Sequence, residues 1–386
     1  MTTKRKLRLF LPIAAAAALA AGGCRGDEPV VAAEYDVVAG ATPDPDSEIA
    51  GFYLLNEGNM GSNKCTLDYF DCSAATYIRN FYAECNPGVI MELGDVGNDI
   101  QIYGSRVYVV VNCSHKVEVL DARTGVRIGQ VDIPNCRYVR FSGDKAYVSS
   151  YIGPVQIGAD SPKGGVFEVD TASLSITRQV TVGYQPEELE IVDGLLYVAN
   201  SGGYRAPDYD NTVSVVDLAE FKVIRAIPVD INLHRLRKDG RGRLWVSSRG
   251  NLHDISSRLC VLEPRGKNGA MEVVDTLDVE CTDLAIHSDR LYYISSGMAG
   301  GEAPQYGVID VNTRTILPGN FITDGTETRI RRPYGIAVNP ATGDILLTDA
   351  GNYVSSGTLY CFSPDGSLRW SVRTGDIPAA IAFLHK

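Results

Sequence analysis

An aromatic residue near the middle of a short strand ending in small polar residues recurs along this chain. The series is Tyr53, Tyr108, Tyr147, Tyr197, Trp245 and Tyr293, with Leu346 in the same frame, at intervals of 55, 39, 50, 48, 48 and 53 residues. Self-similarity at 40 to 50 residues with four short strands per unit is the signature of propeller blades. About ten residues before each aromatic lies another short strand: Asp99–Ile102, Arg137–Arg140, Glu187–Glu190, Leu233–Leu236, Thr282–Ala285 and Tyr334–Ala337. After it comes a loop and then a strand closed by a turn former, as in Val117–Asp121, Val166–Asp170, Val213–Asp217 and Tyr360–Gly366. Asp suits that closing position because it hydrogen-bonds its own turn.

Seven aromatic-type strands face only six preceding inner strands. The seventh is supplied by Pro378–Leu384 at the end of the chain. The expected fold is therefore all-β: a seven-bladed β-propeller over 50–386, whose last strand completes the first blade and removes free sheet edges.

The N-terminus reads as an export signal of the lipoprotein kind. Lys4, Arg5, Lys6 and Arg8 precede an apolar run, Leu9–Ala20, shorter than the roughly 20 residues of a membrane span. Small residues then lead to Cys24, with Ala21 where an aliphatic residue is usual. The expected organisation is a signal peptide over 1–23, a lipidated flexible tether over 24–49 carrying Pro29, Pro43 and Pro45, and the propeller. Asp27 and Glu28, just after the lipidated Cys24, point to the outer face of the outer membrane. Contact with a membrane is expected only through that anchor.

Net charge is −11, and loss of the signal removes four basic and no acidic residues, leaving about −15. An acidic surface excludes nucleic acid as a partner, since phosphates need a basic face. Eight cysteines remain in a disulfide-permissive compartment. Cys65 with Cys85, and Cys113 with Cys136, are candidate bridges, and Cys361 takes a core position of the repeat.

In a propeller the loops from second to third strand, and from fourth strand to the next blade, share one face at the channel mouth. Here those loops are long and the opposite turns short, which marks a binding face on a rigid scaffold. They are rich in Tyr, Asn, Ser, Gly and Arg, giving rigid aromatic area with adaptable hydrogen bonding. The candidate ligand-binding residues are Asn59, Asn112, Tyr151, Tyr184, Gln185, Tyr204, Arg205, Tyr209, Arg249, Asn251, His253, Tyr306, Arg332, Tyr334, Asn352 and Tyr353. No catalytic constellation is present: the five histidines form no zinc pattern, and no Gly-x-Ser-x-Gly elbow occurs. Asp208-Tyr209-Asp210-Asn211 lacks the remainder of a calcium loop and reads as a polar turn. Glu57, Asp99, Glu187, Asp283 and Asp376 are expected near the channel mouth, paired with Arg137, Arg235 and Arg332. No metal and no catalytic cofactor are expected.

The opening blade, Phe52–Asn59 followed by Thr66–Asp71, resembles the Asn-Glu-Gly-Asn start of surface lipoproteins of the YncE-like propeller group. Leu93–Asp99, Val111–His115, Val182–Glu187 and Asn200–Tyr204 extend the likeness, which is greatest to the BtuG type. That resemblance implies a non-enzymatic, lipid-anchored protein of the outer membrane, exposed at the cell surface. It would capture cobalamin or a related corrinoid and pass it to a TonB-dependent outer-membrane transporter. The rival readings are a surface propeller for a glycan or protein partner and a calcium-dependent lactonase-like enzyme.

Overall fold

A computed structural model describes residues 32–89, 93–153, 155, 157–251, 253–265, 269–297 and 303–386. The expected signal peptide, the lipidation site Cys24 and the first part of the tether lie outside them.

Seven antiparallel sheets follow one another along the chain. Blade one holds β1 (Glu34–Val37), β2 (Ile49–Asn56), β3 (Thr66–Asp71) and β4 (Thr76–Arg79). Blade two is β5 (Gly97–Tyr103), β6 (Arg106–Val111), β7 (Lys116–Asp121) and β8 (Arg127–Asp132). Blade three is β9 (Cys136–Ser142), β10 (Lys145–Ser150), β11 (Gly165–Asp170) and β12 (Ser175–Thr181). Blade four is β13 (Pro186–Val192), β14 (Leu195–Asn200), β15 (Thr212–Asp217) and β16 (Lys222–Pro228). Blade five is β17 (Leu233–Lys238), β18 (Leu244–Ser248), β19 (Arg258–Arg265) and β20 (Ala270–Leu277). Blade six is β21 (Asp283–His287), β22 (Arg290–Ser295), β23 (Gln305–Asp310) and the two-residue β24 (Thr315–Ile316). Blade seven is β25 (Pro333–Val338), β26 (Ile345–Asp349), β27 (Ser356–Phe362) and β28 (Leu368–Asp376). The last strand, β29 (Pro378–His385), pairs antiparallel with β2 from Gly51↔Leu384 to Asn56↔Pro378. The inner strands touch in a closed cycle, β5 to β9 and onward to β29 and back to β5. The chain is a seven-bladed β-propeller closed by its C-terminal strand.

Burial grades outward from the axis. The second strands are buried along nearly their whole length, whereas β12 and β16 are mostly exposed. The second strand is covered on both faces by neighbouring blades, so it takes consecutive apolar residues rather than alternation. The repeat aromatics fill the gaps between blades. Tyr53 packs with Val107 and Val109 of blade two, and Tyr108 with Val139 and Val148 of blade three. Trp245, fully buried, packs against Leu284 and Leu291 of blade six. Burying each such side chain contributes about 1.5–3 kcal/mol. In blade six the frame expected at Tyr293 belongs to Tyr292. Tyr292 packs with Ile336, Ile345 and Leu347 of blade seven, while Tyr293 turns back towards Trp245. Successive strand residues point to opposite faces, so a shift of one exchanges the neighbouring blade.

The closing aspartates act as expected. Asp121 accepts the N–H groups of Arg123 (3.0 Å) and Thr124 (2.9 Å), Asp170 those of Ala172 and Ser173, and Asp217 those of Ala219 and Glu220.

Two expectations need correction. The tether was expected to run to residue 49, but Glu34–Val37 pairs with β4 as an outermost fifth strand of blade one. Arg79 holds it by ion pairs to Glu34 and Asp36. The described cysteines, moreover, are all free thiols. Cys65 is buried against Gly97, whereas Cys85 ends the short helix α1 (Phe81–Cys85) and lies beside Gly125. Cys136 donates to the carbonyls of Val111 and Lys116 beneath the surface, and Cys113 turns to Asn112 Oδ1. In each pair the two thiols are committed to different neighbours. Cys361 is buried as expected.

Candidate functional site

Five inner strands open on pairs of polar residues, Asn98-Asp99, Arg137-Tyr138, Glu187-Glu188, His234-Arg235 and Thr282-Asp283, and a sixth on Tyr334-Gly335. The pairing register slips at the end of the inner ladder nearest these residues in every blade but the sixth. Such a bulge re-aims neighbouring side chains. It also frees backbone donors for side-chain acceptors. Ser149, Ser247 and Thr348 accept the N–H groups of Tyr138, Arg235 and Gly335 at 3.1, 2.9 and 2.8 Å. Asp99, Glu188 and Asp283, in alternate blades, accept N–H groups of the next inner strand: Val139 at 3.0, Leu236 at 2.8 and Ile336 at 3.1 Å.

Glu187, 1% exposed, is the hub of the mouth. It pairs with Arg137 at 2.9 Å and Arg249 at 3.5 Å, and accepts the Tyr151 hydroxyl at 2.7 Å. The Arg137 guanidinium also lies 5.0 Å over the Tyr151 ring. Burial alone pushes the Glu187 carboxyl up, but Arg137 and Arg249 outweigh it and hold it below its ordinary value. Glu188 sits among Arg237, Arg235 and Arg140, which overcome burial and pull it down to about 2. Between blades three and five, the Tyr138 hydroxyl meets His234 Nε2 at 3.1 Å and accepts from Arg235 at 3.2 Å. Burial, with Arg249 and Arg235 nearby, holds His234 neutral, its pKa well below the ordinary value. Tyr334 donates to Glu57 at 2.5 Å and meets Tyr353 edge-on, with centroids 5.9 Å apart. Burial raises the Glu57 carboxyl, with the Tyr334 hydrogen bond opposing it.

Other candidates fall into groups. Arg205 stacks on Tyr184 at 3.7 Å and reaches the Ser161 carbonyl at 3.4 Å. Tyr204, 41% exposed, touches the edge of Tyr151 at 6.3 Å. Tyr151, Tyr204, Tyr184, Arg205, Arg249, Tyr334 and Tyr353 thus belong to the mouth. Arg332 donates to the Ser296 carbonyl at 3.2 Å. Gln185 accepts the Tyr204 N–H at 2.9 Å and shapes the loop. Asn112 is buried and joins blade two to Asn135 and Cys136 of blade three. Asn251 and Asn352 cap their own loops by accepting backbone N–H groups. His253 is exposed, and Asn59 and Tyr209 are partly exposed in their loops. Tyr306 is corrected: it is 5% exposed and packs edge-on to Phe321 between blades six and seven. It lies on β23 with Val308 on the same face, so strand alternation carries it into the core.

Asp210 spends Oδ1 on Asn211 and Thr212 and Oδ2 on the Tyr184 N–H, which makes its segment a turn. Among the described residues no cluster of three or more His, Cys, Asp or Glu is placed to hold a metal ion. His115 accepts the Asn135 N–H at 3.0 Å, as a loop residue.

The model of a family described as "Domain of unknown function (DUF5074)" matches residues 50–364. The chain belongs to that family. No curated protein matches it. The DUF5074 propeller is similar in fold to a hypothetical selenium-binding protein from Sulfolobus tokodaii, with TM-score 0.62, 12% identity, and coverage of 87% of this chain and 93% of that one. It is also similar to a quinonprotein alcohol dehydrogenase-like protein from Bacteroides thetaiotaomicron, with TM-score 0.59, 14% identity, and 87% and 78% covered. At these identities the likeness establishes the fold.

Sequence reasoning passed over several residues of this DUF5074 mouth. The channel carboxylates were expected to pair with Arg137, Arg235 and Arg332 without individual partners; Glu187 pairs with Arg137 at 2.9 Å and Asp283 with Arg235 at 3.0 Å, and none of these four was named as a site residue. Tyr138 and His234 were placed on inner strands but not among the site residues. Their signal is the polar pair that opens their own inner strands.

Proposed function

We propose that this protein captures cobalamin, or a related corrinoid, at the channel mouth and passes it to a TonB-dependent outer-membrane transporter. It acts as a lipid-anchored outer-membrane protein facing outward, binds without catalysis, and uses no cofactor of its own. The observation that carries the reading is the grouping of Tyr151, Tyr184, Tyr204, Tyr334 and Tyr353 with Arg205 and Arg249 on the loop-rich face. A corrinoid is a large, flat, amide-fringed ring with a phosphate-ribose tail. Flat aromatic area, amide-compatible polar groups and guanidinium groups for the phosphate are what it requires. Glu187, Glu188, Asp99 and Asp283 are each matched by an arginine, which favours a binding role over lactonase-like calcium chemistry.

Calorimetric titration of the purified propeller with cyanocobalamin tests the reading. Saturable binding at micromolar ligand or tighter is expected. No heat or fluorescence change at micromolar cyanocobalamin overturns it.

A further inference from the structure

Among the described residues, Asn232 Oδ1, buried at the mouth, has no hydrogen-bond partner. Asn232 leads into β17 and is 3% exposed. Its N–H donates to Asp210 and its carbonyl accepts from Arg249, at 2.9 and 3.0 Å. Its side-chain Nδ2 donates to the Gly250 carbonyl at 3.0 Å, which fixes the amide orientation, since Oδ1 there would face another oxygen. Oδ1 is left without a hydrogen bond. Buried acceptors are nearly always satisfied, so an orphan beside a binding face points to a missing donor.

The space before that oxygen is shaped by Gly203. A Cβ there would stand 3.2 Å from Asn232 Oδ1, 3.5 Å from Ser201 Oγ and 3.8 Å from Arg249 Nη1. Gly203 does not have the left-handed backbone that demands glycine, so what its glycine provides is room. Ser201 Oγ is already engaged, donating to the Gln185 carbonyl at 2.8 Å and accepting the Gly203 N–H at 3.1 Å. The two groups that address the cradle are therefore an acceptor, Asn232 Oδ1, and a cationic donor, Arg249, held from behind by Glu187.

We propose that the Gly203–Asn232–Arg249 cradle is a subsite for a primary carboxamide of the bound ligand. The amide N–H donates to Asn232 Oδ1 and its carbonyl accepts from Arg249. A carboxylate satisfies Arg249 but brings no proton to Asn232 Oδ1, and an ammonium group is repelled by the guanidinium. The proposal rests on the mouth being a ligand site but not on the ligand being a corrinoid.

Two measurements separate the claims. Crystals of the wild-type protein and of Gly203→Ala are soaked in nicotinamide. Its amide is expected to bridge Asn232 and Arg249 in the wild type and to be absent from the variant. In parallel, cyanocobalamin and its mono-carboxylic acids, each with one amide hydrolysed, are titrated into both proteins. One acid is expected to bind the wild type about tenfold or more weakly, and Gly203→Ala to lose that discrimination with unchanged melting temperature. If cyanocobalamin does not bind, the corrinoid reading falls and the nicotinamide soak alone decides the cradle. If cyanocobalamin binds and every mono-acid binds equally well, the cradle proposal is overturned, whatever the soak shows. Should Gly203→Ala fail to fold, the wild-type discrimination alone decides.

Discussion

Glu187 satisfies two guanidinium groups and a phenol with one carboxylate, out of contact with water. Removing one member of a buried ion network leaves the others desolvated and unpaired, which costs more than the network contributes as a whole. Glu187→Ala is expected to lower unfolding stability by roughly 3–5 kcal/mol, read from urea denaturation, and a loss below about 1 kcal/mol contradicts the hub. His234 gives a sign-definite pH effect. Its folded-state pKa lies well below 6.5. As pH falls below 6.5 the unfolded chain gains a proton at this site that the folded chain does not. Its contribution to stability is therefore complete above 6.5 and declines below, by up to about 1.4 kcal/mol per pH unit. His234→Gln, which can still hydrogen-bond Tyr138, should flatten the stability profile between pH 6.5 and 5. An unchanged slope in urea midpoints over that range counts against a neutral His234. Tyr138 and His234 are 96 positions apart and meet across a skipped blade. The repeat marks their strands, but the bulge that re-aims the opening pair depends on ladder pairing, which composition does not encode. Tyr151 was legible because loop position alone puts it at the mouth, and Tyr334 because it opens an inner strand there.

At the scale of elements, the sequence specifies strands and closure better than edges. β29 was legible by counting, because an unmatched second strand needs a partner. β1 was not, since Glu34–Val37 is four residues long, mostly exposed, and sits among prolines and acidic residues that read as linker. Its attachment comes from Arg79 and from Tyr35 donating to Glu84, contacts made only once blade one exists. The two strands should therefore respond differently to removal. Deleting 378–386 unpairs the inner edge of β2, strips Ala382 and Leu384 from the first core cluster and leaves a long sheet edge. That truncation is expected to abolish cooperative thermal unfolding or to drive aggregation. Starting the chain after Val37 should leave a cooperative transition within a few degrees of the parent. Equal losses in both truncations, measured by calorimetry, contradict the division into a closing strand and an appended one.

For the whole molecule, the propeller from Ala33 to Lys386 is one compact unit. If the basic start, short apolar run and Cys24 serve as the proposed lipoprotein signal, anchoring and ligand binding should be separable. Under that proposal Cys24→Ser blocks lipidation and leaves every described residue of the propeller unchanged. The variant purified from the soluble fraction should bind cyanocobalamin with the affinity of the propeller alone, because every residue of the mouth lies at Glu57 or beyond. Cells carrying it should nevertheless lose uptake at limiting cobalamin. A soluble capture protein leaves the transporter, whereas an anchored one stays at high effective concentration beside it. Unaltered uptake with Cys24→Ser, or membrane association that survives it, overturns the anchored-capture scheme. Loss of affinity in the purified variant instead makes the N-terminal segment part of the binding surface.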